Sequence, residues 1–92
     1  PSPSEELRRA LWQHCLAEPL PLADDVDLDF LAAAFDFAGG NIRSAATTAA
    51  YLAAANGTPV TMRLIVLAVE QEYRKLGRLV MEREFGRFYA SL

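Results

Sequence analysis

The sequence predicts an all-α fold, a small bundle of four to five helices. Apolar residues recur at spacings of three and four, the period of an amphipathic helix, and no segment alternates as a half-buried strand does. Prolines and glycines divide the chain into segments of helix length. The 92 residues are enough for one small domain, and 52% hydrophobic with 23% charged residues is a globular composition.

The first helix is predicted from a start signal, an apolar face and a stop signal. The sequence Ser-Pro-Ser-Glu at residues 2–5 has the form of a capping box with proline at the first helical position. Leu7, Leu11 and Cys15 follow at intervals of four, which places them on one face. Two prolines within residues 18–21 end the helix, because proline cannot continue it and restricts the residue before it.

The second and third helices are predicted on either side of a Gly-Gly pair. Asp27 is a suitable N-cap for the second helix, which is expected to extend over residues 28–37. Gly39 and Gly40 are expected to end it, because glycine accepts the left-handed conformation of a C-cap. The third helix is expected over residues 41–55, which are rich in alanine, and a glycine followed by a proline ends it.

The fourth helix is predicted to begin at an N-cap, Thr61, and to be ended or weakened by Gly77. We expect residues 1–78 to form one helical domain. We expect residues 79–92 to form a C-terminal apolar helix or arm that packs on this domain or on a neighbouring subunit. The apolar residues of this tail are Leu79, Val80, Phe85, Phe88 and Tyr89.

Charge is distributed unevenly along the chain. Residues 1–38 carry eight acids and two arginines, whereas residues 39–92 carry seven bases and four acids. Such asymmetry can orient a domain against its partners, and it is also typical of ordinary solvated helix faces. The overall net charge of −3 argues against a nucleic-acid-binding protein.

Several kinds of site are absent from the sequence. His14 and Cys15 are the only residues of their types, so neither an internal disulfide nor a Cys/His zinc site can form. The acids within residues 24–27 lack the spacing of a calcium loop, and there is no glycine-rich phosphate loop. We therefore expect no metal site. His14 is expected to have a structural or surface role, the alternative being contact with a ligand near the first helix.

Targeting signals are also absent. No apolar run reaches the roughly 18 residues of a transmembrane helix, and the N-terminus lacks the basic region and apolar core of a signal peptide. We therefore expect a cytoplasmic protein without membrane contact. Because the chain does not begin with methionine, we expect it to be part of a longer polypeptide.

The most informative segment is Gly-Gly-Asn-Ile-Arg at residues 39–43. Unpaired backbone N–H groups at a helix N-terminus suit anions, and arginine makes bidentate bonds to phosphate oxygens. Arg43 also lies at the positive end of the helix dipole, an unfavourable position that solvent or an anionic partner has to offset. Two interpretations stay open: a phosphate-binding turn, or a C-cap followed by an exposed arginine.

Several short motifs follow one another in a particular order. They are Arg-Arg-Ala-Leu-Trp at 8–12, Leu-Ala-Asp-Asp-Val-Asp-Leu at 22–28, Leu-Ala at 31–32, Gly-Asn-Ile-Arg at 40–43, the alanine-rich helix, and Val-Thr-Met at 60–62. Their order and spacing resemble the C-terminal helical lid of AAA-type ATPases, specifically the branches that retain a sensor-2 arginine. The resemblance covers about residues 8–76, and its specificity lies in the series rather than in any one motif.

The resemblance implies that the chain packs as a lid beside ATP held by a preceding core domain, which would also bind Mg²⁺. Arg43 looks like the sensor-2 arginine, a catalytic residue that reaches toward the γ-phosphate. Gly40 and Asn41 would lie near the adenine and ribose, and Leu11 would line the adenine pocket. The implied cofactor-binding residues are Gly39, Gly40, Asn41, Leu11 and Cys15.

The resemblance also implies that ATP hydrolysis drives rotation of lid against core within a ring, usually a hexamer, that remodels proteins or complexes. The sequences at 72–78 and 84–86 look similar to bacterial ATPases of phage-tail-like contractile systems. Two alternatives stay open. One is a free-standing helical protein-interaction module that docks through its apolar tail. The other is a helical DNA-binding domain, which the alanine-rich third helix and the negative charge disfavour.

We expect the 92-residue chain alone not to hydrolyse ATP. The reason is that the phosphate loop, the Mg²⁺-binding carboxylate and the water-orienting acid would all belong to the core domain. Phosphate release from ATP and Mg²⁺ should proceed at the same rate with and without the purified chain. Sustained turnover above that background would contradict this interpretation.

Overall fold

Residues 3–92 are described by a computed structural model, in which they form five α-helices and no strand. The helices are α1 (Glu5–Cys15), α2 (Leu28–Ala34), α3 (Gly39–Asn56), α4 (Met62–Leu76) and α5 (Glu82–Phe85), followed by a 3₁₀ helix (Gly86–Ser91). A parallel β-bridge between Leu22 and Val60 joins the loops that precede α2 and α4. The all-α fold with four to five helices is thereby confirmed.

Local signals set several of the helix ends. The side chains of Asp27 and Thr61 accept hydrogen bonds from the backbone N–H three residues further on, at 3.0 and 3.2 Å, which confirms both predicted N-caps. Gly57 and Gly77 are C-caps of α3 and α4 in the left-handed conformation, with φ of 69° and 70°. Both predicted stop signals are therefore confirmed, since glycine adopts positive φ without a steric penalty.

The start of α1 differs from the prediction. Ser4 is the N-cap, and its hydroxyl accepts a hydrogen bond from the Leu7 backbone N–H at 3.2 Å. The helix therefore begins after Pro3, which does not occupy the first helical position. Ser2, the expected first residue of the capping box, lies outside the described residues.

The end of α2 also differs from the prediction, and two phenylalanines explain why. The helix stops three residues early, and Phe35 has extended backbone angles, with φ −115° and ψ 110°. Phe35 and Phe37 are both fully buried. Residues two apart point to the same side of an extended chain but lie about 200° apart around a helix, so burying both rings requires the helix to end. Gly39 and Gly40 consequently do not cap α2. They open α3, and neither has a positive φ.

The central helix of the bundle is α3, which packs on both α1 and α4, while α1 also packs on α2. Its buried face consists mainly of alanine, whose single methyl group lets neighbouring helices approach closely. The buried residues of α3 are Ile42, Ala45, Ala46, Ala49 and Ala53.

A cluster of aromatic rings joins the C-terminal segment to α4 and to the residues that follow α2. Phe35, Phe37, Tyr73 and Phe85 are each at most 1% exposed. The Phe85 ring centroid lies 4.9 Å from that of Phe35 and 5.2 Å from that of Tyr73, within the range of favourable aromatic pairs. Burial, together with the negative charge of Glu84, raises the pKa of Tyr73 to about 12, so its hydroxyl is neutral at physiological pH.

The C-terminal segment packs on α2 of the same chain. The Phe88 ring lies 5.0 Å from the Phe30 ring, edge to face. An Arg87 guanidinium nitrogen lies 3.2 Å from a carboxylate oxygen of Asp27, which is also the N-cap of α2. Hydrogen bonding by the Phe30 backbone N–H, with a smaller contribution from Arg87, lowers the pKa of Asp27 despite its partial burial. The division of the chain at residue 78 stays a prediction.

Replacing Phe85 with alanine tests whether the tail belongs to the core. We expect Phe85→Ala to lower the free energy of unfolding by about 3–5 kcal/mol, because it removes a fully buried ring. Tyr89→Ala is the matched control: Tyr89 is 41% exposed on the same segment, and its loss should cost below about 1 kcal/mol. Urea unfolding of the 92-residue chain, followed by circular dichroism, measures both. Equal losses for the two variants would show that Phe85 is not a core residue.

Candidate functional site

The N-terminus of α3 lacks the cap that α1, α2 and α4 possess. Its N-cap residue is Ala38, which has no side-chain acceptor, and the first turn contains no acid. The Ala38 carbonyl accepts hydrogen bonds from the Asn41 and Ile42 N–H groups, at 3.0 and 3.2 Å. The N–H groups of Gly39 and Gly40 have no acceptor within the described chain. Such groups, at the positive end of an 18-residue helix, are suited to an anion.

Arg43 lies one turn into the same helix. The sequence predicts that the third helix begins at Asn41, which would place Arg43 in its first turn. Because α3 begins at Gly39 instead, Arg43 is its fifth residue. Its side chain is exposed and makes no hydrogen bond or ion pair with any of residues 3–92. The guanidinium is therefore available to an anion from outside the chain.

Leu11 and Gly39 are brought together by the packing of α1 on α3. A Cβ atom added to Gly39 would lie 3.6 Å from Leu11 Cδ1, an ordinary van der Waals distance, so Leu11 lies beside the first residue of α3. Gly40, in contrast, faces open space. Leu11 and Cys15 are partly buried, and both pack against the core. This part of the candidate site is thus apolar, which suits an aromatic base better than a phosphate.

Asn41 is engaged inside the protein. Its side-chain Nδ2 donates a hydrogen bond to Oε1 of Glu72 at 3.1 Å. Glu72 belongs to α4, so this bond ties the first turn of α3 to the neighbouring helix. Asn41 therefore has a structural contact in addition to the nucleotide contact that the sequence suggests.

The buried carboxylate of Glu72 is a feature that the sequence analysis missed. Glu72 is 2% exposed, and its Oε2 accepts a hydrogen bond from Ser44 Oγ at 2.8 Å and pairs with Lys75. Burial alone raises the pKa of this carboxyl. The hydrogen bonds from Lys75, Ser44 and Asn41 outweigh that effect and lower its pKa below the ordinary value. A signal was present, because Glu72 occupies the apolar stripe of α4 between Val69 and Leu76.

Two further cations lie close to the start of α3. Lys75 Nζ is 3.0 Å from the Ser44 hydroxyl, one residue beyond Arg43. Arg78 donates to the Asp36 carbonyl at 3.3 Å, three residues before α3 begins. Because Lys75 is paired with Glu72, Arg43 and Arg78 are the cations near this helix end whose charge is not balanced by a carboxylate among the described residues.

No group of three or more His, Cys, Asp or Glu side chains among residues 3–92 is arranged to hold a metal ion. His14 is exposed on α1. Of the helices that the structure describes, none combines the length and apolar character of a membrane crossing.

The bundle and its helix order define the class of protein as a small all-α domain. A model of the family described as the contractile injection system ATPase helical domain matches residues 4–74, and the chain belongs to this family. The predicted relation to ATPases of phage-tail-like contractile systems is thereby confirmed. No match to a curated protein was found. The matched range contains Arg43, Glu72 and all the predicted nucleotide-binding residues.

The pH dependence of stability tests the state of Glu72. We expect Glu72→Gln to lower the free energy of unfolding at pH 7 by about 1–3 kcal/mol, because a buried charged acceptor is lost. A carboxyl whose pKa is lower in the folded state stabilises the fold above its unfolded pKa, and this contribution disappears as pH falls through the folded pKa. The difference between wild type and variant should therefore shrink below the ordinary pKa of 4.5.

Glu70→Gln is the matched control for this measurement. Glu70 lies on the same helix and pairs with Arg74, but it has no hydrogen bond to α3 among the described residues. Its replacement should cost below about 0.5 kcal/mol. Chemical unfolding from pH 3 to pH 7 gives both curves. A stability difference for Glu72→Gln that is constant across this range would show that Glu72 is not a charged carboxylate in the fold.

Proposed function

We propose that this chain is the lid of an AAA-type ATPase, where it contributes to ATP binding and couples hydrolysis to conformational change. Membership of an ATPase helical-domain family supports the proposal. The single observation that carries it is the exposed Arg43, without a hydrogen bond or ion pair among residues 3–92, on a helix that has no side-chain N-cap and no acid in its first turn. A helix end of this kind is unfavourable in isolation and favourable beside a phosphate.

The chemistry assigned to Arg43 is electrostatic. Transfer of a phosphoryl group to water spreads negative charge over the phosphate oxygens, and a positioned guanidinium stabilises that charge. ATP supplies the phosphoryl group, and the Mg²⁺ that accompanies it would be held by the core domain. The N–H groups of Gly39 and Gly40 are available to the same anion. Leu11, packed against Gly39, offers an apolar surface to the base.

The proposed coupling of hydrolysis to domain movement follows from the location of Arg43 on a domain separate from the core. A domain that contributes one charge to a site shared with a core domain completes that site only when the two domains close. Closure would therefore depend on the nucleotide, and hydrolysis would release it. In a ring, for which we propose a hexamer, such movement of each lid could be transmitted to the neighbouring subunit and to the protein complex being remodelled.

The role of Arg43 is tested in an ATPase that carries this domain. We expect Arg43→Ala to lower kcat for ATP hydrolysis by roughly 100- to 1,000-fold, the range expected on loss of one transition-state contact. The melting temperature of the domain should barely change, because the side chain is exposed and has no partner among the described residues.

Arg63→Ala is the matched control, because Arg63 is also exposed near the N-terminus of a helix and has no hydrogen bond or ion pair with the described residues. Its turnover should equal that of the wild type. Equal turnover of the two variants would remove Arg43 from the mechanism. A melting temperature that falls as steeply as kcat in Arg43→Ala would assign the arginine to folding instead.

A further inference from the structure

The buried carboxylate of Glu72 divides its oxygens between two residues of α3. Oε1 accepts from Asn41 Nδ2 at 3.1 Å, and Oε2 accepts from Ser44 Oγ at 2.8 Å. Asn41 and Ser44 are three apart, which puts them on one face of the helix. Arg43 lies between them in sequence. One side chain of α4 thus holds two points on the first turns of α3.

This clamp helps to set the rotation of α3 about its axis, together with the buried apolar face of the helix. Successive residues of an α-helix are separated by about 100°, so Arg43 lies about 100° from Ser44 and about 200° from Asn41 around the axis. With Asn41 and Ser44 turned toward α4, Arg43 is directed to the exposed side, as its solvent exposure shows. Loss of the clamp would leave the first turns of α3 held by the buried Ile42 and by small alanines.

The choice of a carboxylate at this position is not explained by stability. Glu72 is 2% exposed, and a buried ion pair is often no more stabilising than a well-packed apolar side chain of similar size. An apolar residue could not accept bonds from Asn41 and Ser44. Lys75 balances the carboxylate's charge, so the cation at Arg43 keeps its effect on a nearby anion.

We infer that Glu72 is a positioning residue that acts through Arg43: by clamping Asn41 and Ser44 it directs the guanidinium toward the nucleotide. This inference rests on the proposed function. Glu72 itself touches neither nucleotide nor reacting atoms. Its contribution to turnover therefore exists only while Arg43 is present.

A double-mutant cycle for ATP hydrolysis in an ATPase carrying this domain tests the inference. The substitution is Glu72→Met, which keeps the length of the side chain but accepts no comparable hydrogen bonds. We expect it to lower kcat about tenfold in the wild-type background, because small displacements of a catalytic group are costly. In the Arg43→Ala background it should lower kcat less than twofold. Glu70→Met, the control on the same helix, should leave kcat unchanged in both backgrounds.

The possible results distinguish a failure of the inference about Glu72 from a failure of the proposed function of Arg43. A tenfold loss from Glu72→Met in both backgrounds would assign Glu72 a purely structural role and overturn the inference alone. Wild-type turnover in Arg43→Ala would overturn the proposed role of Arg43 and the inference with it. Glu72→Gln, which keeps one acceptor oxygen, should have turnover between wild type and Glu72→Met.

A second variant decides the matter if Glu72→Met fails to fold. Ser44→Ala removes one of the two clamped donors and places a strong helix former in α3. We expect about a threefold loss of kcat with Arg43 present and no loss in the Arg43→Ala background. A loss that is the same in both backgrounds overturns the inference.

Discussion

The burial of Phe35 and Phe37 side by side is the constraint on which the rest of the fold depends. Both rings are fully buried, and their centroids lie 6.1 Å apart. This arrangement requires an extended chain, so it ends α2 and sets where α3 begins. It also creates the aromatic surface against which Tyr73 and Phe85 pack, at 6.0 and 4.9 Å from Phe35. The position of the candidate site therefore follows from packing in the core.

The helix that carries the candidate site differs from α2 and α4 in how its N-terminus is satisfied. The side chains of Asp27 and Thr61 cap the N-termini of α2 and α4, whereas the N-terminus of α3 has no side-chain cap. The exposure of Arg43 could be predicted from the sequence, because that residue lies off the apolar face of its helix. The engagement of Asn41 by Glu72 could not, because it depends on the rotation of α3 against α4.

Four of the eight arginines, Arg8, Arg9, Arg78 and Arg87, link different elements of the fold. Arg8 Nε donates to the Ala32 carbonyl at 2.8 Å, satisfying a backbone group at the end of α2, and its side chain is only 11% exposed. Arg87 pairs with Asp27, so a base of the tail meets an acid of the first half of the chain. The uneven charge along the sequence is thus partly balanced inside the fold. Arg43, Arg63 and Arg83 have no hydrogen bond or ion pair among the described residues, and of these three only Arg43 lies on a helix that has neither a side-chain N-cap nor an acid in its first turn.

The sequence by itself determined the features that depend on near neighbours. Asp27 and Thr61 cap their helices, and Gly77 ends one, because a cap involves groups within about four residues of each other. Only the tertiary structure decided which side chains meet across the bundle. The hydrogen bonds of Glu72 to Asn41 and Ser44 and the insertion of Phe85 into the core join residues far apart in the chain. Local patterns cannot specify such contacts, because they arise from the relative orientation of whole helices.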